Sequence, residues 1–87
     1  MKVKRISAIW CPSCLIMEKR WKKIEHGYPQ IEFEDYDYDE HEEMCEALEI
    51  GKKLPVCIFY KEDKEIGRMI GEKSEKEMIE KLEEWKK

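Results

Sequence analysis

Along this chain the spacing of apolar positions switches repeatedly between a period of two and a period near 3.6. From Val3 to Trp10 (VKRISAIW) the residues are β-branched or aromatic, without Gly or Pro, and Ile6, Ala8 and Trp10 alternate with Arg5, Ser7 and Ile9. That pattern predicts a strand. From Cys11-Pro12 to about His26 the period lengthens, with Cys14, Met17, Trp21 and Ile24 on one side and Lys19, Arg20, Lys22, Lys23 and Glu25 on the other. An amphipathic helix is expected there, with Pro12 at its first position, where the missing N–H costs nothing. Gly27 and Pro29 end it.

Ile31 to Asp37 alternates Ile31 and Phe33 against Glu32 and Glu34, a second strand. Between Asp39 and Ile50 the spacing of His41, Met44, Cys45 and Leu48 predicts a short helix closed by Gly51 as its C-terminal cap. Leu54 to Tyr60 (LPVCIFY) is almost continuously apolar, as a central strand buried on both faces would be, with Pro55 tolerated at its start. KEDKE reads as a polar hairpin loop and Ile66 to Ile70 as a short return strand. Ser74 to Trp85 is a last helix with Met78, Ile79, Leu82 and Trp85 on one face, opened by a Ser74/Glu77 capping box. Its Glu/Lys-rich remainder reads as a solvated surface paired at i,i+4. The expected order is β-α-β-α-β-β-α. Right-handed crossovers then give an α/β fold, one four-stranded mixed sheet flanked by three helices, with residues 1–87 forming one domain.

Composition narrows the function. With 87 residues, 41% hydrophobic and 44% charged, one core is affordable inside a highly charged surface. Seventeen Lys plus Arg against 21 Asp plus Glu leave a net charge of -4, which disfavours nucleic acid and acidic membranes as partners. No apolar run approaches the roughly 20 residues of a membrane span. Lys2, Lys4 and Arg5 are not followed by the apolar stretch of a signal peptide, so the expected compartment is the cytoplasm.

Four cysteines, Cys11, Cys14, Cys45 and Cys57, are an even count, yet the absent export signal and the strong helix and strand patterning argue against a disulfide scaffold. Chemistry concentrates in Trp10-Cys11-Pro12-Ser13-Cys14, a Cys-x-x-Cys pair at a strand-to-helix junction. Cysteines three apart at a helix start share a face and can close a small disulfide ring. Cys11 is expected at the N-cap, its sulfur accepting from the Ser13 and Cys14 amides and facing the positive helix end, both of which favour thiolate. It is the candidate nucleophile, expected to be the more exposed of the two. Cys14, on the inner face, is the candidate resolving thiol. Pro12 removes one amide donor and Ser13 adds a hydroxyl, so the pair between the cysteines tunes the redox potential.

Trp10 is expected to shield the disulfide and to form an apolar docking surface with Leu54; Leu15 and Ile16 extend that surface or complete the core stripe. Cys45 and Cys57 read as buried small hydrophobes. They sit on different elements without paired knuckle spacing, which disfavours a four-cysteine zinc site, and His26 and His41 lack metal-ligand spacing, so no metal is expected.

These residues resemble the thioredoxin-like superfamily of thiol-disulfide oxidoreductases. The likeness rests on Trp10-Cys11-Pro12-Ser13-Cys14 after the first strand, Leu54-Pro55-Val56 opening the apolar strand, and Gly71 ahead of the last helix. It covers essentially the whole chain, without the extra N-terminal strand and helix of full-length thioredoxins. The resemblance implies that Pro55 is cis and lies against the active-site pair, that Leu54 offers backbone groups to an extended substrate segment, and that Gly71 belongs to the same substrate-binding rim. It also implies a monomer with no bound cofactor, acting on protein disulfides and recharged by a reductase or other thiol donor. Two departures stand out. The buried acid that thioredoxins carry six residues before the nucleophile is here Arg5, which leaves Glu34 or Asp35 as substitutes for proton transfer. Proline directly after the first cysteine is the glutaredoxin arrangement, whereas Lys53-Leu54 and Ile70-Gly71-Glu72 replace the usual glutaredoxin residues. The alternatives are a glutathione-dependent glutaredoxin-like protein and a metal or iron–sulfur carrier using the same cysteines.

Overall fold

The computed structural model describes residues 1–86; Lys87, the end of the Glu/Lys-rich last segment, lies outside them. The elements run β1 (Lys2–Ser7), α1 (Pro12–Ile24), a 3-10 turn (Glu25–Gly27), β2 (Glu32–Asp37), α2 (Glu42–Ala47), β3 (Val56–Lys61), β4 (Lys64–Ile70) and α3 (Glu75–Trp85). The four strands form one sheet in the order β2-β1-β3-β4. β1 pairs parallel with β2 and antiparallel with β3, and β3 pairs antiparallel with β4. The expected element order and mixed sheet are both present.

Strand alternation sorts the core into two layers. Val3, Cys57, Phe59 and Met69 face α1 and α3, where they meet Met17, Trp21, Ile24, Met78 and Leu82. Ile6, Val56 and Ile58 point the other way, onto Cys45 of α2 together with Ile50, Leu54, Cys11 and Cys14. Two layers of helix on one sheet leave the ends of the strands free to carry loops.

Several boundaries depart from expectation, each for a local reason. β1 stops at Ser7 rather than Trp10, because its pairing with β2 ends at Ser7 and Asp37 and the Cys11 amide then closes a turn on the Ala8 carbonyl at 3.1 Å. α2 is capped by Glu49 in the left-handed region (φ 57°) rather than by Gly51. The Ile50 amide reaches back to the Cys45 carbonyl at 2.8 Å, a reversal that carries Ile50 into the core and fixes the stop two residues early. The polar hairpin is tighter than KEDKE suggests. Glu62 and Asp63 both have positive φ (53° and 65°), as a two-residue turn matching the strand twist requires. A bulge pairs Phe59 with Gly67 and Tyr60 with Glu65, leaving Ile66 as the extra residue.

On α3, Met78 and Leu82 are fully buried and Trp85 packs on Phe59 with ring centroids 4.4 Å apart, whereas Ile79 is exposed, contrary to the expected stripe. The spacing 78, 82, 85 is the face the sheet selects, and Ile79 lies a hundred degrees off its centre. Trp85 lies so close over Gly67 that a Cβ there would collide with the indole ring, 2.3 Å from its nearest atom. The N-terminus is capped as expected, the Ser74 hydroxyl accepting from the Glu77 amide at 3.2 Å.

Candidate active site

The β1–α1 junction builds the site. Cys11 is the N-cap of α1 in extended conformation (φ -101°, ψ 109°), with Pro12 following at the first helical position. Its sulfur accepts from the Cys14 amide at 3.2 Å. The expected second donor, the Ser13 amide, is not engaged with it. The Cys11 thiol in turn lies 3.7 Å from the Leu54 carbonyl oxygen, to which it donates. All four cysteines are free thiols.

Cys11 is barely more exposed than Cys14, 6% against 5%, because the Leu54 carbonyl covers the Cys11 sulfur from the loop before β3. Burial, and next the hydrogen bond with Cys11, push the Cys14 thiol up to about 12, so it stays protonated at neutral pH.

The Leu54–Pro55 peptide is cis, as the resemblance implied. The Pro55 carbonyl accepts from the Gly71 amide at 2.8 Å, joining the start of β3 to the end of β4. Gly71 has φ 82°, a conformation that favours glycine. Thus Cys11, Leu54, Pro55 and Gly71, which are scattered in sequence, converge at one end of the sheet. The Leu54 side chain is buried in the core, so its carbonyl, not its side chain, faces the site. The apolar surface around the cysteines comes instead from Ile9 (86% exposed) and Trp10 (57%), with Leu15 and Ile16 also exposed. Both residues left open between core and surface thus lie on the surface.

Trp10 is held by a residue that sequence reasoning missed. Its indole N–H donates to Asp39 Oδ2 at 2.8 Å, and its ring stands edge-on to Tyr38 at 6.4 Å. The signal was available in the parallel register: Ser7 pairs with Asp37, so residues just past β2 stand beside those just past β1.

Behind Cys14 a cleft of about 420 Å³ is lined by Arg5, Trp21, Asp35, Pro55 and Cys57 among others. Arg5 donates to both Asp35 carboxylate oxygens, at 2.7 and 2.9 Å, and to Glu25 at 3.2 Å, with its guanidinium over the Phe33 ring at 4.6 Å. Burial works against its charge, and the two carboxylates outweigh it. Asp35 therefore reaches the cleft already committed to Arg5. Glu34 does not line the cleft; it accepts from Tyr36 at 3.0 Å and pairs with Lys2 at 3.4 Å. Neither acid stands as an unengaged base beside Cys14.

Cys45 and Cys57 are both buried, as expected, and lie in opposite core layers. Burial raises both thiols. Among the described residues no group of three or more His, Cys, Asp or Glu is gathered to hold a metal ion. His41 occupies the N-cap position of α2 without a side-chain capping bond, its Nδ1 lying 3.1 Å from the Asp37 carbonyl oxygen.

A family model, Thioredoxin, matches residues 3–84. The chain is 31% identical over 64 residues to thioredoxin-2 of Saccharomyces cerevisiae, covering 74% of this chain and 61% of that protein. It is 31% identical over 78 residues to thioredoxin H7 of Arabidopsis thaliana, covering 90% and 59%. It thus spans about three fifths of the length of these curated relatives. The crystal structure of thioredoxin from Trypanosoma brucei brucei superposes with a TM-score of 0.86 at 26% identity, covering 95% of this chain and 72% of that one. With the family model spanning nearly the whole sequence and the fold superposing over 95% of it, the chain belongs to the thioredoxin family.

Proposed function

We propose that this chain is a thiol-disulfide oxidoreductase that reduces protein disulfides by a dithiol mechanism through Cys11 and Cys14. The observation that carries the proposal is the Cys14 amide directed at the Cys11 sulfur from the start of α1. A helix N-terminus stabilises negative charge on that sulfur, while Cys14 keeps its proton to about 12. Cys11 is thus the thiol that attacks first.

The Cys11 thiolate attacks one sulfur of the substrate disulfide; a Cys11–substrate bond forms, the substrate S–S bond breaks, and the departing sulfur takes a proton from solvent. Cys14 then gives up its proton and attacks the Cys11 sulfur. The second substrate thiol leaves, and two electrons have passed to the substrate while Cys11 and Cys14 form a disulfide. A dithiol donor or reductase returns two electrons and two protons. Both halves are thiol–disulfide exchange, so no cofactor is required. Trp10 and Ile9 offer apolar contact to a docking substrate, Pro12 and Ser13 set the potential, and Leu54, Pro55 and Gly71 form the backbone rim along which an extended segment lies. The chain acts as a monomer in cytoplasmic redox homeostasis.

Titration of the Cys11–Cys14 couple against a dithiol buffer, read by mass after alkylation, tests this reading. Two thiols should disappear and return together. A midpoint near about -270 mV marks a reductant, and one near about -120 to -180 mV an oxidant or isomerase. A pair that does not cycle would overturn the proposal.

A further inference from the structure

At the active-site end of the sheet the strand order β2-β1-β3-β4 also orders the charges. On the β2 side of Cys11 stand Asp37, Asp39 and Glu40; on the β3 and β4 side stand Lys52, Lys53 and, beyond Gly71, Lys73. Lys53 lies against the rim at Gly71. A Cβ placed on Gly71 would meet Lys53 Cε at 2.7 Å and Nζ at 3.6 Å, so the lysine stem lies along the face that Gly71 leaves open. The Gly71 amide bonded to the Pro55 carbonyl ties that face to the loop carrying Lys53 and Leu54.

The acid next to Gly71 is already engaged. Glu72 pairs with Arg20 at 3.6 Å, and Arg20 also donates to the Lys73 carbonyl at 2.6 Å. Among the described residues no carboxylate lies within ion-pair distance of Lys53. An exposed cation whose stem is packed loses less side-chain freedom when a partner arrives than one waving in solvent.

We propose that Lys53 is a specificity-determining residue that recognises an acidic side chain next to the attacked cysteine of a peptide disulfide. This rests on the function proposed above, since it concerns which disulfides the same site takes. A substrate segment lying along Leu54, Pro55 and Gly71 passes the Lys53 ammonium, and a carboxylate on its β3–β4 side finds an attractive partner there. The same carboxylate on the β2 side would meet Asp37 and Asp39. Lys53 thereby fixes the direction in which an acidic segment lies as well as its affinity.

The test uses two peptide disulfides identical except for Glu or Gln beside the cysteine, with turnover driven by a dithiol donor. For the unaltered protein, kcat/KM should favour the Glu peptide by about three- to five-fold at low ionic strength, the scale of an exposed ion pair. The preference should shrink in high salt. Lys53→Gln should bring the ratio to about one and Lys53→Glu should invert it, while Lys64→Gln, in the distant hairpin, keeps the original ratio. A ratio of about one in the unaltered protein, or one that Lys64→Gln lowers as much as Lys53→Gln does, overturns the inference. Glutathione disulfide, run in parallel, separates carboxylate sources. If Lys53→Gln slows only glutathione disulfide and leaves the peptide ratio intact, the peptide assignment is wrong. Failure of the unaltered protein to reduce either peptide would instead remove the oxidoreductase reading itself.

Discussion

The amide of Cys14 points at the sulfur of Cys11 from 3.2 Å, while the Cys14 thiol is itself buried on the inner side of the helix start. In the proposed mechanism one residue thus contributes its backbone to hold charge on the first sulfur and its side chain to displace what that sulfur has captured. The two roles separate by mutation. Cys11→Ser should abolish disulfide reduction altogether, and normal turnover would remove Cys11 as the nucleophile. Cys14→Ser keeps the amide but loses the thiol, so it should accumulate mixed disulfides detectable by mass; no recoverable adduct would count against the resolving role.

Proton release from Cys14 should control the second step. With its thiol raised to about 12, the rate of adduct resolution should climb close to ten-fold per pH unit across the neutral range. Stopped-flow measurement of a preformed Cys11 adduct reads this directly. A flat profile would mean that another group carries the proton.

The same shift sets an alkaline limit on stability. Folded Cys14 holds its proton to about 12 against 9.0 for an ordinary thiol, so above the unfolded value the folded state binds more protons than the unfolded one. Stability of the reduced protein is therefore full below about pH 9 and falls as pH rises toward 12. Cys57 acts in the same direction. Denaturant midpoints should drop more steeply with pH for the reduced chain than for Cys14→Ala, and parallel curves would exclude Cys14 as a source.

Asp39 fixes the Trp10 indole beside the active-site pair. Asp39→Ala should free that ring and lower kcat/KM for peptide disulfides by about two- to ten-fold, the cost of one charge-assisted hydrogen bond in a positioned contact surface. Global stability should change little, because both groups are exposed. Asp39→Ala in a Trp10→Ala background should then add almost nothing; full additivity would separate the two residues.

Gly67 lies under the Trp85 ring, and the collision of an added Cβ with that ring predicts that Gly67→Ala costs about 1–3 kcal/mol through displacement of the indole from Phe59. Thermal unfolding measures this. Gly27→Ala, at a site open to solvent, is the comparison and should cost much less.

What the sequence by itself determined was the local chemistry. Cys11 at the N-cap, Pro12 inside the helix start and Cys14 on the inner face follow from three-residue spacing after a strand, because a helix terminus is built from contacts within one turn. The alternation of Ile6 and Ala8 with Arg5 and Ser7 and the unbroken apolar run from Val56 to Phe59 likewise exposed the sheet and its two buried layers. Tertiary structure decided the rest. Cys11 is covered by Leu54 across 43 residues, Trp10 is held by Asp39 across 29, and Arg5 takes Asp35 across 30. Each of these depends on the register of neighbouring strands or on the path of a loop, and a residue's own neighbours in sequence carry no record of either. The exposure of Ile9 and the place of Lys53 over Gly71 have the same origin: both residues lie where strands have ended, so no periodicity governs them and only the meeting of separate loops puts them at the site.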